Sequence, residues 1–188
     1  MRRREAVRFL GAALALPFIP ANAEAAIDFG QRLHRRLVEA EEVPFRTLDV
    51  AQQAIVSDIA EMIIPETDTP GATSVKVPQF IDLILTEWAS DAERAAFLAG
   101  LGDIDSRASA LAGHASRFVD LSSAQKTQLL TMLDGERGAK AGAGLAFGRL
   151  KTLTVYGYFT SMPVQMDVLK TRMFFERYEG NVPFTPAI

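Results

Sequence analysis

The stretch DVAQQAIVSDIAEMI, residues 49–63, has the pattern that decides the fold class. Asp49 is a good N-cap residue, and Gln52 stands three positions later, which is the spacing of a capping box. The apolar residues that follow recur at i, i+4, i+7 and i+8, namely Ile55, Ile59, Met62 and Ile63. Because these positions share one face of a helix, the stretch predicts an amphipathic helix packed against a core.

Further helices are predicted on both sides of this stretch. Pro65 ends the first helix, and Val77-Pro78 begins another, because proline suits the first turn of a helix. Two more N-termini carry capping-box pairs, Ser90 with Glu93 and Ser122 with Gln125. The remaining predicted helices span residues 25–42, 145–159 and 164–175.

Three parts of the chain raise particular expectations. Residues 145–159 are aromatic and apolar around much of the predicted helix, which is expected either to lie centrally in the bundle or to present a face to another protein. Gly102 is expected to end or bend the helix that Ser90 begins, and residues 178–188 are expected to form an extended tail. Since no segments alternate like paired strands, the sequence predicts one all-α domain of about six helices over residues 24–188.

The composition excludes several kinds of site. The chain has 188 residues, 48% hydrophobic and 23% charged, which is enough for one core. It has no cysteine, so disulfides, thiolate zinc sites and cysteine-held iron–sulfur clusters are excluded. A net charge of -3 argues against a nucleic-acid binder. The chain also lacks a G-x-G-x-x-G loop and a haem motif, so any cofactor is expected to belong to a partner.

Residues 1–23 have the three parts of an export signal. A basic segment containing Arg3 and Arg4 precedes the apolar run FLGAALALPFIP, and Ala21-Asn22-Ala23 has the pattern of a cleavage site. The apolar run has 12 residues, whereas a membrane span needs about 20. The paired arginines resemble a twin-arginine (Tat) signal, which directs the export of folded proteins. A general secretory signal is the alternative.

Three stretches of the chain resemble the gluconate 2-dehydrogenase subunit 3 family. The most specific lies within residues 47–88 and contains TLDVAQQ, AEMIIPETDTPGA and VPQFIDLILTEW. The others are FVDLSSAQKTQLL, residues 118–130, and LKTLTVYGYFTS, residues 150–161. Two features depart from the family pattern, Met162-Pro163 where an acidic residue is usual and the segment from Tyr178 onward, where the family tends to contain a cysteine.

The resemblance implies a non-catalytic small subunit with no cofactor or metal of its own. In such complexes the FAD and the acid/base residues belong to a large flavoprotein of the glucose-methanol-choline (GMC) type, and electrons leave to a cytochrome c. The small subunit supplies the export signal, stabilises the flavoprotein and accompanies it to the periplasm, where the complex can associate with the membrane. Related complexes oxidise gluconate, glucose, or the 3-hydroxyl of glucosides and lactose.

Two groups of residues are candidates for contact with that partner. The first is the loop with Glu66, Asp68 and Thr69, which is a docking loop, a calcium site, or simply the turn that ends a helix. The second group is aromatic and is expected either at the interface or in the core: Trp88, Tyr156, Tyr158 and Phe159.

Two other classes of function remain as alternatives. A small helical enzyme would use Glu66, Asp68 or His114 as its acid or base. His114 is expected in a loop, and neither His114 nor His34, on a charged helix, has an orienting partner or a substrate pocket that is visible in the sequence. The other alternative is a periplasmic binding module that acts without a flavoprotein.

Overall fold

The chain is an all-α domain, as the sequence predicts. A computed structural model describes residues 19–20, 22–39, 44–136 and 138–170. Within these ranges six α-helices, one 3₁₀ turn and one π-helical turn occur, and no strand is present. The α-helices are α1 (Ala23–Glu39), α2 (Val50–Ile63), α3 (Val77–Glu87), α4 (Asp91–Ala112), α5 (Ser123–Gly135) and α6 (Gly142–Thr160). The 3₁₀ turn is Phe118–Asp120, and the π-helical turn is Val164–Val168.

All three predicted capping boxes are confirmed. At the start of α2, the Gln52 backbone N–H donates to Asp49 Oδ1 at 2.8 Å, and the Asp49 N–H donates to Gln52 Oε1 at 3.0 Å. The Ser90–Glu93 pair at the start of α4 and the Ser122–Gln125 pair at the start of α5 exchange the same two hydrogen bonds. Proline at the first turn of α3 is confirmed as well. These helix starts are predictable from the sequence because the two residues that pair the free backbone N–H groups of each first turn stand three positions apart.

Helix α6 lies at the centre of the bundle. Every residue from Leu153 to Ser161 is buried, and α6 contacts each of the other five α-helices. Of the two positions expected for this aromatic helix, the structure shows the central one. A helix that is apolar over most of its circumference can bury that surface only when neighbours surround it.

Two glycines allow close approach to α6. A Cβ at Gly30 of α1 would lie 2.6 Å from Thr160 Oγ1, and a Cβ at Gly100 of α4 would lie 2.6 Å from the Gly142 carbonyl oxygen. Contacts this short are repulsive, so a side chain at either glycine would push its helix away from α6.

A carboxylate in α3 holds the segment that leads into α2. Asp82 is 4% exposed, and its two oxygens accept hydrogen bonds from the backbone N–H groups of residues 46, 47 and 48 at 2.8–3.0 Å. Nearby, Glu87 accepts hydrogen bonds from Arg36 of α1 and from Arg46. Hydrogen bonding to Arg36, opposed by desolvation and supported by Arg46, lowers the pKa of Glu87 to about 2.

The structure corrects the expectation for Gly102. Helix α4 continues through this residue and ends at Gly113, whose φ of 75° is the left-handed conformation that glycine adopts without strain. Nothing lies within 4 Å of a Cβ built at Gly102. Leu101 and Ile104, on either side of Gly102, are buried, and their packing keeps the helix continuous. Such packing overrides the weak helix propensity of one glycine.

Several other predictions fall partly or wholly outside the described residues. The first predicted helix, residues 25–42, appears as α1 and ends at Glu39, but residues 40–43 are not described. The predicted helix 164–175 appears as the π-helical turn, and residues 171–188, including the expected tail, are not described. Arg3, Arg4 and Ala21 of the export signal are also outside the described ranges, whereas Ala23 is the first residue of α1. Among the described helices, none combines the length and apolarity that a membrane span needs.

Candidate functional site

The candidate docking loop follows α2 and is organised by one carboxylate, that of Glu61. Its Oε1 accepts the backbone N–H of Glu66 at 2.8 Å, and its Oε2 accepts the N–H and the hydroxyl of Thr73 at 3.1 and 2.6 Å. Partial burial opposes ionisation, but the hydrogen bonds from Thr73 and Glu66 outweigh it and lower the pKa of Glu61. Both ends of the loop are therefore tied to α2 by a charged acceptor.

Within this frame the loop forms a tight polar turn. The Thr67 N–H donates to the Thr69 carbonyl at 3.0 Å, and the Thr67 hydroxyl donates to Asp68 Oδ1 at the same distance. The side chains of Glu61 and Thr67 accept the backbone N–H groups of Glu66 and Thr69 in this turn. Glu66 and Asp68 are exposed, Thr69 is half-buried, and all three line an open cavity of about 440 Å³.

Trp88 lies away from this loop, just after the end of α3. Its side chain is half-buried and meets the Phe29 ring edge to face, with ring centroids 5.3 Å apart. The Arg36 guanidinium lies 5.9 Å from the centroid of the Trp88 ring. Trp88 therefore packs α1 onto α3 while part of the indole remains open to solvent.

The three candidate aromatic residues of α6 are buried in the chain. Tyr156, Tyr158 and Phe159 are 0%, 4% and 5% exposed. The Tyr156 hydroxyl donates to the Ala26 carbonyl at 2.5 Å, and the Tyr158 hydroxyl donates to the Pro70 carbonyl at 2.9 Å. Burial raises the pKa of the Tyr156 phenol, so its hydroxyl remains a donor. The positions of all three match the core-packing alternative, and Tyr158 anchors the candidate docking loop to α6.

The two histidines have different surroundings. His114 is exposed in the turn after α4, and it is not among the residues that line the loop cavity. His34 is 4% exposed, stacks on Phe80 with ring centroids 4.7 Å apart, and lies with Nε2 2.7 Å from the Gly157 carbonyl oxygen. Desolvation lowers the pKa of His34 to about 4, although the bond to Gly157 opposes this shift.

Sequence reasoning missed His34 and Asp82 as buried polar residues. A signal was present for each: His34 lies at helical spacing with the buried Gly30 and Leu37, and Asp82 interrupts the apolar run FIDLIL. Both make structural hydrogen bonds to the backbone, because a buried polar group must be satisfied within the protein.

No cluster in the described part of the chain brings together three histidine, aspartate or glutamate side chains that could hold a metal ion. Asp58, which precedes the loop on α2, forms an ion pair with Lys126 of α5 at 2.6 Å. Glu61 is occupied by the loop backbone. The carboxylates of α2 nearest to the loop thus have partners within the chain.

Similarity to a known protein family bears on the role of this chain. The family model described as gluconate 2-dehydrogenase subunit 3 matches residues 50–174, about two thirds of the chain. Searches for similar curated proteins and similar solved structures found no match. The matched range begins with α2 and includes the candidate docking loop, Trp88 and the whole of α6. This chain belongs to the gluconate 2-dehydrogenase subunit 3 family and is thus related to a subunit of a dehydrogenase complex.

Proposed function

We propose that this chain is a non-catalytic accessory subunit of an exported, FAD-dependent sugar or sugar-acid dehydrogenase. Its partner is a GMC-type flavoprotein that carries the FAD and the catalytic residues and passes electrons to a cytochrome c of the complex. The chain brings this flavoprotein to the periplasm through its twin-arginine signal and stabilises it there. The observation that carries the proposal is the family match over residues 50–174, which is to a subunit of a dehydrogenase.

The chemistry of the described residues supports an accessory role. General acid/base catalysis needs a titratable group that faces a substrate pocket and has an orienting partner. The buried His34 and Asp82 instead bond to the backbone of their own chain. Glu61 holds the loop that follows α2, and its oxygens are already hydrogen-bonded. His34 and Asp82 therefore stabilise buried parts of the fold, and Glu61 stabilises the loop at its surface.

The loop at residues 66–69 is the surface that we assign to the flavoprotein. Its exposed carboxylates, Glu66 and Asp68, project from a backbone that Glu61 and Tyr158 hold in place. A loop ordered before binding loses less conformational entropy when a partner docks, which favours affinity. Trp88 is a second contact point because part of its ring is accessible.

Co-expression with the flavoprotein tests the proposal. The double variant R3K/R4K should leave the flavoprotein in the cytoplasm, whereas the matched variant R8K, outside the arginine pair, should still deliver it to the periplasm. The measurement is FAD content and dye-linked sugar oxidation in the periplasmic fraction. Active flavoprotein in the periplasm of the R3K/R4K strain would show that the chain does not carry it there.

A second measurement addresses catalysis directly. The purified chain alone should bind no FAD and oxidise no sugar, and activity should appear only when the flavoprotein is present. A sugar-oxidising activity of the isolated chain that is lost in D68N would favour the small-enzyme alternative instead.

A further inference from the structure

Two arginines share one glutamate next to Trp88 at the end of α3. Arg36 of α1 donates two hydrogen bonds to Glu87, from Nη1 to Oε2 at 2.7 Å and from Nη2 to Oε1 at 2.9 Å. Arg46, in the segment before α2, donates from Nη2 to the same Oε1 at 2.5 Å. The Arg36 guanidinium also lies against the Trp88 ring. These four residues are named the arginine–tryptophan cluster below.

The cluster has more positive than negative charge. Two guanidinium groups, which stay protonated, share a single carboxylate, so one positive charge is left unbalanced. Among the described residues, no second acidic side chain forms an ion pair with Arg36 or Arg46. Elsewhere on the surface the balance is one to one, as for Arg117 with Asp120. A carboxylate from another molecule would neutralise the excess charge of the cluster.

The excess charge is accessible to such a molecule. The side chains of Arg36 and Arg46 are 51% and 49% exposed, whereas that of Glu87 is 24% exposed. Arg46 uses one of its guanidinium N–H donors for the bond to Glu87. The planar fork of the remaining donors matches the two oxygens of a carboxylate. Arginine and tryptophan are also the residue types that most often dominate the binding energy of an interface.

The fold positions both arginines before a partner arrives. Arg36 is held by its two hydrogen bonds to Glu87 and by the Trp88 ring. The Arg46 backbone N–H donates to the buried Asp82 carboxylate at 2.9 Å, which fixes the start of its side chain. Groups that are ordered in advance lose less conformational entropy when a partner binds. A partner that covered the half-buried Trp88 ring would exclude water and strengthen the attraction between charges beside it.

We propose that the arginine–tryptophan cluster binds an acidic side chain, aspartate or glutamate, of the flavoprotein. The inference rests on the proposed function and adds the chemistry of the partner at Trp88. The candidate docking loop presents carboxylates before α3, and the cluster presents excess positive charge where α3 ends. The flavoprotein then meets opposite charges at two contact points, and this pattern sets the orientation in which it docks.

Association kinetics of the full-length chain with the purified flavoprotein test this. R46Q removes one positive charge from the cluster but keeps hydrogen-bond donors, and its matched control R117Q removes the same charge from an arginine that Asp120 balances. E87Q removes the negative charge between the two arginines, and its matched control is D120N. Rates are compared at about 0.01 M and about 1 M salt, because the range of a charge falls from about 30 Å to about 3 Å between these conditions. Thermal unfolding verifies that each variant is folded.

At low salt, R46Q should lower the association rate constant by about two- to fivefold and weaken the affinity by about tenfold. E87Q should instead raise the association rate constant by about two- to fivefold, since the cluster becomes more positive. Both differences in rate should shrink at high salt, and R117Q and D120N should behave like the wild type. Equal effects of R46Q and R117Q, or slower association of E87Q, would overturn the proposal while the complex still forms. A wild-type chain that does not bind the flavoprotein at all would refute the proposed function, and this inference with it.

Discussion

The Nε2 atom of His34 in α1 lies 2.7 Å from the carbonyl oxygen of Gly157 in α6. A carbonyl only accepts hydrogen bonds, so the neutral imidazole carries its proton on Nε2. The His34 ring also stacks on Phe80 of α3, and a Cβ at Gly157 would lie 2.8 Å from the Phe80 ring. These three residues therefore join α1, α3 and α6 at one buried point.

Stability should fall with acid because of this histidine. Burial lowers the pKa of His34 from its ordinary value of 6.5 to about 4, so the unfolded chain binds a proton that the folded chain excludes. The stabilisation that comes from keeping this imidazole neutral is fully present above pH 6.5 and is lost as the pH falls toward 4. The free energy of unfolding should fall by about 3 kcal/mol over this range. Urea unfolding between pH 7 and pH 4 measures it.

The variant H34Q keeps an N–H donor but does not titrate, so its stability should vary less over this pH range. The matched variant H114Q changes an exposed histidine and should retain the wild-type slope. A wild-type slope in H34Q would contradict the assignment. The stabilisation that the ionised Glu87 carboxylate provides is lost only below pH 4.5, because folding lowers the pKa of this group from 4.5 to about 2.

The same glycine-to-alanine change should have opposite effects at two positions. G30A places a methyl group 2.6 Å from Thr160 Oγ1, and we expect it to lower the free energy of unfolding by about 1–3 kcal/mol. G102A adds a methyl group to an exposed helical position with open space around it, and we expect it to raise that free energy by about 0.5–1 kcal/mol. Thermal unfolding of the two variants gives the signs. A stabilised G30A would mean that α1 does not pack this closely on α6.

Removal of the buried Asp82 carboxylate should destabilise the fold strongly. D82A leaves three backbone N–H groups without their acceptor, and we expect a loss of about 3–5 kcal/mol in free energy of unfolding. The matched variant D91A removes a carboxylate that is 98% exposed, so its loss should stay below about 1 kcal/mol. Chemical denaturation compares the two. Similar losses in both variants would show that Asp82 does not hold the segment before α2.

Loosening the candidate docking loop should weaken the complex. E61Q removes the charged acceptor for Glu66 and Thr73, so amide hydrogen exchange over residues 66–73 should accelerate, and affinity for the flavoprotein should fall by about tenfold. The matched variant D58N breaks the ion pair with Lys126, away from the loop hydrogen bonds, and should leave both measurements unchanged. Faster exchange with unchanged affinity would place the docking surface elsewhere.

Local signals in the sequence were sufficient for the helix starts and for the family. The Asp49, Ser90 and Ser122 caps depend on a partner three residues away, so a short window contains all the information needed to predict them. The prediction that the helix ends or bends at Gly102 is wrong for the same reason. The low helix propensity of glycine is a local property, whereas the burial of Leu101 and Ile104 that overrides it depends on other helices. The sequence locates the candidate docking loop after α2, but the hydrogen bonds by which Glu61 organises it are visible only in three dimensions.

The sequence by itself determined that this protein is all-α, where most of its helices begin, and to which family it belongs, because periodicity, caps and motifs are properties of neighbouring residues. Only the tertiary structure decided that His34 and Asp82 are buried and that Tyr156 holds the first turn of α1 in place. Those contacts join residues 34 to 130 positions apart, and the chain must fold before they exist.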